Sequence, residues 1–319
     1  MDVLTLTAIL ILVIGVLGLF GNVNLLIAIY RLTPRIKSSC LIGILAVCDI
    51  TCILCEFQNA ARQFLGLPSY RKECFWTISF YLLLGAVQAY IMTAIAFDRL
   101  FALSAPLRYQ KCRLIPYLII CILPGFIIGT AVFIFGAVSL EDKPIKACNP
   151  PLAFPSLVSN VWNKVMIASI VLALVAYLAA FGVLLIKIRQ LRGLTSHHPK
   201  YATFKTQQKV TKSCLVMILA FLLSWVFCHT SVYAVNLMGL TPEVVETFKT
   251  VLVIPAMVCY AQNYYIYFGM SCMYREAFIE QLKFLWKCKM QANRGNKLFT
   301  TRSVIHSLPV KPTVESNNK

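Results

Sequence analysis

Charge is what this sequence has least of. Asp and Glu together number 12 in 319 residues, and all charged residues make up 13%. An ordinary soluble domain carries about twice that share, whereas 59% of this chain is hydrophobic and its mean hydropathy is +0.75. One soluble core of this length could not hide so much apolar surface, so lipid is the principal solvent. Catalytic signatures are missing too. Neither His-Glu-x-x-His nor Gly-x-Ser-x-Gly occurs, so no enzyme, metal site or cofactor is expected. The first apolar run lacks the basic n-region of a secretory leader and outlasts an h-region, which marks it as a retained helix. The matching broken half-helices of a transporter's internal repeats are also absent, although a transporter or ligand-gated channel stays the competing class.

What the chain does have is apolar runs of the length a membrane demands. About 20 residues of helix cross a hydrocarbon core of about 30 Å, and seven such runs appear: Leu4 to Tyr30, Leu41 to Phe64, Phe75 to Leu103, Leu114 to Val138, Trp162 to Ile186, Val210 to Leu237 and Phe248 to Met270. They are too long and too evenly apolar for barrel strands, which alternate over about ten residues. The fold expected is an all-α membrane protein, a seven-transmembrane helix bundle over residues 1–290, with a disordered basic tail over 291–319.

The basic residues set its orientation. The loops after runs one, three and five and the C-terminal tail hold 23 of the 30 Lys and Arg, against 7 elsewhere. Lys and Arg crowd the cytoplasmic side, which puts the N-terminus outside. These bases flank spans and lack a stacking platform, so they address lipid headgroups or an acidic partner rather than nucleic acid.

Polar residues inside the runs are functional candidates, because hydrocarbon penalises them unless they face the bundle interior. They are Asn22, Asp49, Glu56, Gln88, His229, Gln262 and Asn263. Asp49 and Glu56 are two helical turns apart and share one face, about 10 Å along the axis. Asn22 and Asn263 read first as interhelical hydrogen bonders, His229 as an interior histidine, and Glu56 as a ligand contact or an interhelical bond alike. Most of the 13 cysteines lie within apolar runs as structural thiols. Cys74 and Cys148 differ: both fall at the oxidising face, one opening the third run and one in the loop after the fourth, and they are expected to pair.

In order along the chain stand Gly21-Asn22, Leu45-Ala-Val-Cys-Asp49, Cys74, Asp98-Arg99-Leu100, Pro106-Leu107-Arg108-Tyr109, Phe221-Leu-Leu-Ser-Trp225 and Asn263-Tyr-Tyr-Ile-Tyr267. This set resembles the rhodopsin-like G-protein-coupled receptors over roughly the first 285 residues. Lys37-Ser-Ser-Cys40 and the cysteine pattern before Glu56 are similar to nematode serpentine chemoreceptors of the SRSX class. The 25 residues from Cys74 to Arg99 span about 37 Å of helix, which puts the two at opposite faces.

The resemblance implies a plasma-membrane receptor, in the cilia of sensory neurons, that takes an external small molecule or peptide and activates a heterotrimeric G protein. A receptor for an endogenous peptide or other neuromodulator is the alternative within the class. Pocket candidates are Glu56, Tyr81, Gln88, Trp162, Trp225, His229 and Tyr233. Tyr81 stands where amine-binding relatives place an aspartate, which disfavours a biogenic amine held there. Asp98 restrains Arg99, and Tyr177 and Tyr267 receive it on activation. Asn22, Asp49 and Asn263 complete the switch set, and Arg99, Pro106 and Leu107 meet the G protein.

The chain also departs from the family pattern. Phe227 and Tyr264 replace usual prolines, Gln207 replaces the acid that locks the arginine, and the Asp49 cluster is short of oxygen ligands for sodium. Pro255 is expected to bend the seventh helix instead. An amphipathic helix is expected over Ser271 to Lys289, with Cys288 a lipidation candidate.

Overall fold

The computed structural model describes residues 2–31, 36–191, 223–235 and 237–284, with isolated positions 216, 219 and 286. Gln207, Cys288 and the tail from 291 lie outside the described residues. The chain divides into two compact units, Met1–Arg275 and Glu276–Lys319.

The first unit is a helix bundle. Lipid offers the backbone no hydrogen bonds, so a spanning segment must satisfy its own, and the long apolar runs become helices. They are α1 (Val3–Arg31), α2 (Lys37–Phe64), α3 (Arg71–Thr77), α4 (Ser79–Ser104), α5 (Pro106–Lys111), α6 (Leu114–Val138), α7 (Pro150–Ala153), α8 (Ser156–Leu191), α9 (Leu223–Val235), α10 (Pro242–Val251) and α11 (Val253–Met270). Among the described residues six spans have the length and apolarity to cross a membrane, α10 and α11 counting together, and α9 is a shorter apolar helix. Residues 272–275 are helical as well, and in the second unit so are 276–284.

α4 is the hub. It packs on α2, α6 and α8, while α1 packs on α2 and α11. Its apolar window is 72% buried, against 17% for that of α6, so α4 is a core helix and α6 a lipid-facing one. Glycine sets the α4–α6 approach. A Cβ at Gly129 would meet the Leu83 carbonyl oxygen at 3.0 Å, and one at Gly125 the Tyr90 Cβ at 2.8 Å; small residues at this spacing let helix backbones close in. On α2 the buried face runs through Leu45, Asp49, Cys52, Ile53, Glu56 and Asn59, the period of one helical side.

The second run begins at Lys37 rather than Leu41, and three others differ further from the sequence reading. The third divides at Ile78, between α3 and α4. The fifth begins at Ser156 rather than Trp162, because polar Ser159 is buried against the bundle and so does not end the helix. The seventh begins at Pro242, in the first turn where a missing N–H costs nothing, and divides at Leu252. Pro255 lies just beyond that break and has no N–H to offer the Val251 carbonyl.

Candidate functional site

At one end of the bundle the segment from 139 to 155 folds inward. Its strand β2 (Pro144–Ile145) pairs antiparallel with β1 (Ser69–Tyr70), and the Cys74–Cys148 disulfide joins it to α3 with Cα atoms 5.4 Å apart. Ala147, Cys148, Asn149 and Leu152 are all buried. Hydrogen bonds tie the segment to three neighbouring helices. The Cys148 N–H donates to Asn59 Oδ1 on α2 (3.0 Å), and Asn149 Nδ2 donates to the Lys249 carbonyl on α10 (3.1 Å). Arg71 Nε on α3 donates to the Leu152 carbonyl (3.1 Å). Lys146 Nζ reaches Glu243 Oε1 (3.1 Å) and Thr247 Oγ1 (3.0 Å). Asn149 also caps α7 through the Leu152 N–H, the usual use of an asparagine before a proline-led turn. Beside it, Arg62 holds Glu73 through both carboxylate oxygens at 2.8 and 3.0 Å, and the guanidinium keeps the Glu73 carboxyl below its usual range.

Beneath this segment lies a buried polar and aromatic group. Glu56 is fully buried, and its Oε2 accepts from Asn59 Nδ2 (2.8 Å). The Tyr81 and Tyr260 hydroxyls meet at 3.0 Å. Trp225 lies edge-on to Tyr260, with centroids 6.3 Å apart, and stacks on His229 at 4.8 Å. His229 Nδ1 bonds Asn163 Oδ1 at 2.8 Å. Trp162 packs on Phe154 at 5.6 Å, which joins the group to the segment above it.

One level deeper, Asp49 is wholly buried and uses both its oxygens. Gln88 Nε2 donates to Oδ1, and Asn263 Nδ2 donates to Oδ2 at 2.6 Å. Asn22 Nδ2 donates to the Tyr260 carbonyl at 2.8 Å.

The opposite end is organised by one acid. Asp98 is 0% exposed. Its Oδ2 accepts from Arg99 Nε (3.0 Å) and Nη2, and its Oδ1 accepts from the Tyr109 and Tyr117 hydroxyls, each at 2.9 Å. Lys37 Nζ sits 4.4 Å from the Tyr109 ring centre and donates to the Tyr109 carbonyl (2.7 Å). Burial and the Asp98 carboxylate push the Tyr109 phenol well above its ordinary range, so it stays a donor. Lys187 Nζ bonds the Leu103 carbonyl, which fastens α8 to the end of α4.

Six of the seven pocket candidates, Glu56, Tyr81, Gln88, Trp162, Trp225 and His229, are buried in the interior. Tyr233 is not brought to them. It is 43% exposed, because the buried face of α9 continues past His229 through Val232 and Val235, and Tyr233 lies off that face. Of the switch candidates, Asp98 pairs with Arg99, and Asp49 with Asn263. Tyr177 and Tyr267 are buried, the latter against Tyr274 at 4.9 Å. Pro106 opens α5 at its first position, and Leu107 is 75% exposed.

Sequence reasoning did not single out Asn59, Asn163 or Tyr117. Asn59 and Asn163 were findable as uncharged polar residues within or beside apolar runs. Tyr117 carried no such signal, since a tyrosine at a helix start is ordinary. The described cavities, of about 620 and 470 Å³, open on the flank of the bundle, between α9 and α10–α11 and between α1 and α11. Their linings include the exposed Phe227, Phe248 and Tyr265.

No curated protein matches the chain. A family model does, that of the serpentine seven-transmembrane G-protein-coupled chemoreceptors called Srsx, over residues 15–282. That stretch contains both the disulfide-tethered segment and the Asp98–Arg99 pair, and the chain belongs to the Srsx family of serpentine chemoreceptors.

Proposed function

We propose that this protein binds an external chemical cue in the group formed by Glu56, Tyr81, Gln88, Trp162, Trp225 and His229, with Tyr233 at its rim, and activates a heterotrimeric G protein at the Asp98–Arg99 end. The observation that carries the reading is a string of buried contacts running inward from the tethered segment. It passes from Cys148 to Asn59 and Glu56, and from Tyr81 to Tyr260. It continues one turn along α11 to Asn263 and Asp49, and a further turn to Tyr267, which packs on Tyr274.

In this reading the chain lies in the plasma membrane of sensory cilia, with the N-terminus and the disulfide outside. A ligand acts only through its preference for one packing over another. Binding between α2, α4, α8, α9 and α11 favours a packing in which Asp98 releases Arg99 toward Tyr177 and Tyr267, and Pro106 and Leu107 then meet the G protein.

The test is heterologous expression with a nucleotide-exchange readout against volatile panels and nematode extracts. Alanine at Glu56, Tyr81 or His229 should weaken the potency of an active fraction about tenfold or more, the loss of about one charged or buried hydrogen bond. Arg99→Ala should abolish exchange. Unchanged potency in all three pocket variants at normal surface expression would remove the pocket. Ligand-evoked current without G protein would favour a channel.

A further inference from the structure

Two buried polar atoms of the interior group have no hydrogen-bond partner: Oε1 of Glu56 and Nδ2 of Asn163. Buried polar atoms are nearly always paired, so each orphan calls for a partner, a water or a ligand group. The rest of each side chain is committed. Asn59 Oδ1 accepts from the Cys148 N–H and from Gln63 Nε2, so its amide nitrogen must face Glu56 Oε2, and Oε1 is left as an open acceptor. On Asn163, Oδ1 faces His229 Nδ1, and Nδ2 is left as an open donor.

Between these two atoms runs one aromatic row. Tyr81 meets Tyr260 at 6.2 Å, Tyr260 meets Trp225 at 6.3 Å, and Trp225 stacks on His229 at 4.8 Å. The Tyr81 hydroxyl hydrogen-bonds the Glu56 carboxylate and meets that of Tyr260 at 3.0 Å, so among the described residues the acid has neutral donors about it but no cation. Among the described residues no Lys, Arg or His is ion-paired with Glu56. A buried carboxylate without a counter-charge is strongly unfavourable, and a cation brought by the ligand supplies what the protein does not.

We infer that the ligand of this site is a small cationic amine that also carries an oxygen acceptor. Its ammonium group meets Glu56 Oε1, its carbonyl or ether oxygen accepts from Asn163 Nδ2, and its apolar body lies along the Trp225 and Tyr260 rings, whose faces attract the cation. The anchoring acid therefore sits on α2 rather than at the Tyr81 position of α4, and Asn163 determines specificity. The inference rests on the reading of this group as the ligand site.

The test uses the full chain in lipid nanodiscs and reads thermal stabilisation, which needs no G protein. The probes are amino ketones of graded chain length, each with its amine-free ketone and its carbonyl-free amine. At least one amino ketone should stabilise the wild-type chain with an affinity about tenfold or more above the amine-free ketone, one charged hydrogen bond, and about threefold or more above the carbonyl-free amine, one neutral hydrogen bond. Glu56→Gln keeps the acceptor for Asn59 and removes the charge; it should erase the advantage of amino ketone over plain ketone. Asn163→Leu should erase the advantage over plain amine, and Asn163→Asp should do the same.

Equal affinity for ketone and amino ketone, an undiminished preference in Glu56→Gln, or no stabilisation by any probe would each overturn the inference. Asn163→Leu without effect would assign that orphan to a water. Potency losses for an active extract at Glu56 and His229 would leave the receptor reading standing even if the amine panel fails. Amine binding without nucleotide exchange would fail the receptor reading alone.

Discussion

The two ends of the bundle are held by opposite strategies. At the disulfide end, the segment from 139 to 155 is tied by a covalent bond, a two-residue strand pairing and side-chain bonds from α2, α3 and α10. At the other end one carboxylate, Asp98, gathers Arg99 from its own helix, Tyr109 from α5 and Tyr117 from α6. Distributed ties fail gradually, because each is backed by the others. A hub fails all at once, because its partners share a single acceptor. The disulfide end is thus held redundantly, and the Asp98 end through a single acceptor.

The largest break of that contrast is Asp98→Ala. It removes the acid from a buried ion pair, which costs about 3–5 kcal/mol, and it frees both tyrosines together. The variant should lose thermal stability and show raised basal nucleotide exchange; a silent, fully stable variant would mean that Asp98 is no hub. Next comes Cys148→Ser. Its expected cost is about 2–4 kcal/mol, typical of a disulfide closing a long loop, with basal exchange unchanged. A wild-type-like melting curve in reductant would show that the other ties suffice alone.

Asn59→Leu should cost about 1–3 kcal/mol, since it strips bonds from the Cys148 N–H and Glu56. It sharpens the comparison if ligand potency falls with it, because Asn59 then joins the holding segment to the site. The smallest effect belongs to the exposed Arg62–Glu73 pair. The Glu73 carboxyl lies below its ordinary range when folded. Its contribution is therefore full above the ordinary carboxylate range and fades as pH falls through the lowered value. Acid titration of wild type against Glu73→Gln should show the two curves converging only at the acid end, with a small gap at neutral pH.

Much of the interior was legible because hydrocarbon penalises polar groups. Asp49, Glu56, Gln88, His229 and Asn263 stood out among apolar neighbours and are buried. Tyr233 looked the same by spacing, yet it is exposed while Val232 and Val235 are buried, since a spacing of four residues drifts off a face that packing continues at a spacing of three.

The sequence by itself determined the all-helical class and approximate reach of the spans, the face that Asp49 and Glu56 share, and the pairing of Cys74 with Cys148. Each follows from a local rule: apolar length, helical period, or two thiols at one membrane face. Only the tertiary structure decided that Tyr109 and Tyr117 converge on Asp98, and that Asn59 joins Cys148 to Glu56. Those contacts bring together residues from separate elements, and side-chain direction across helices is set by packing angles that no stretch of sequence carries alone.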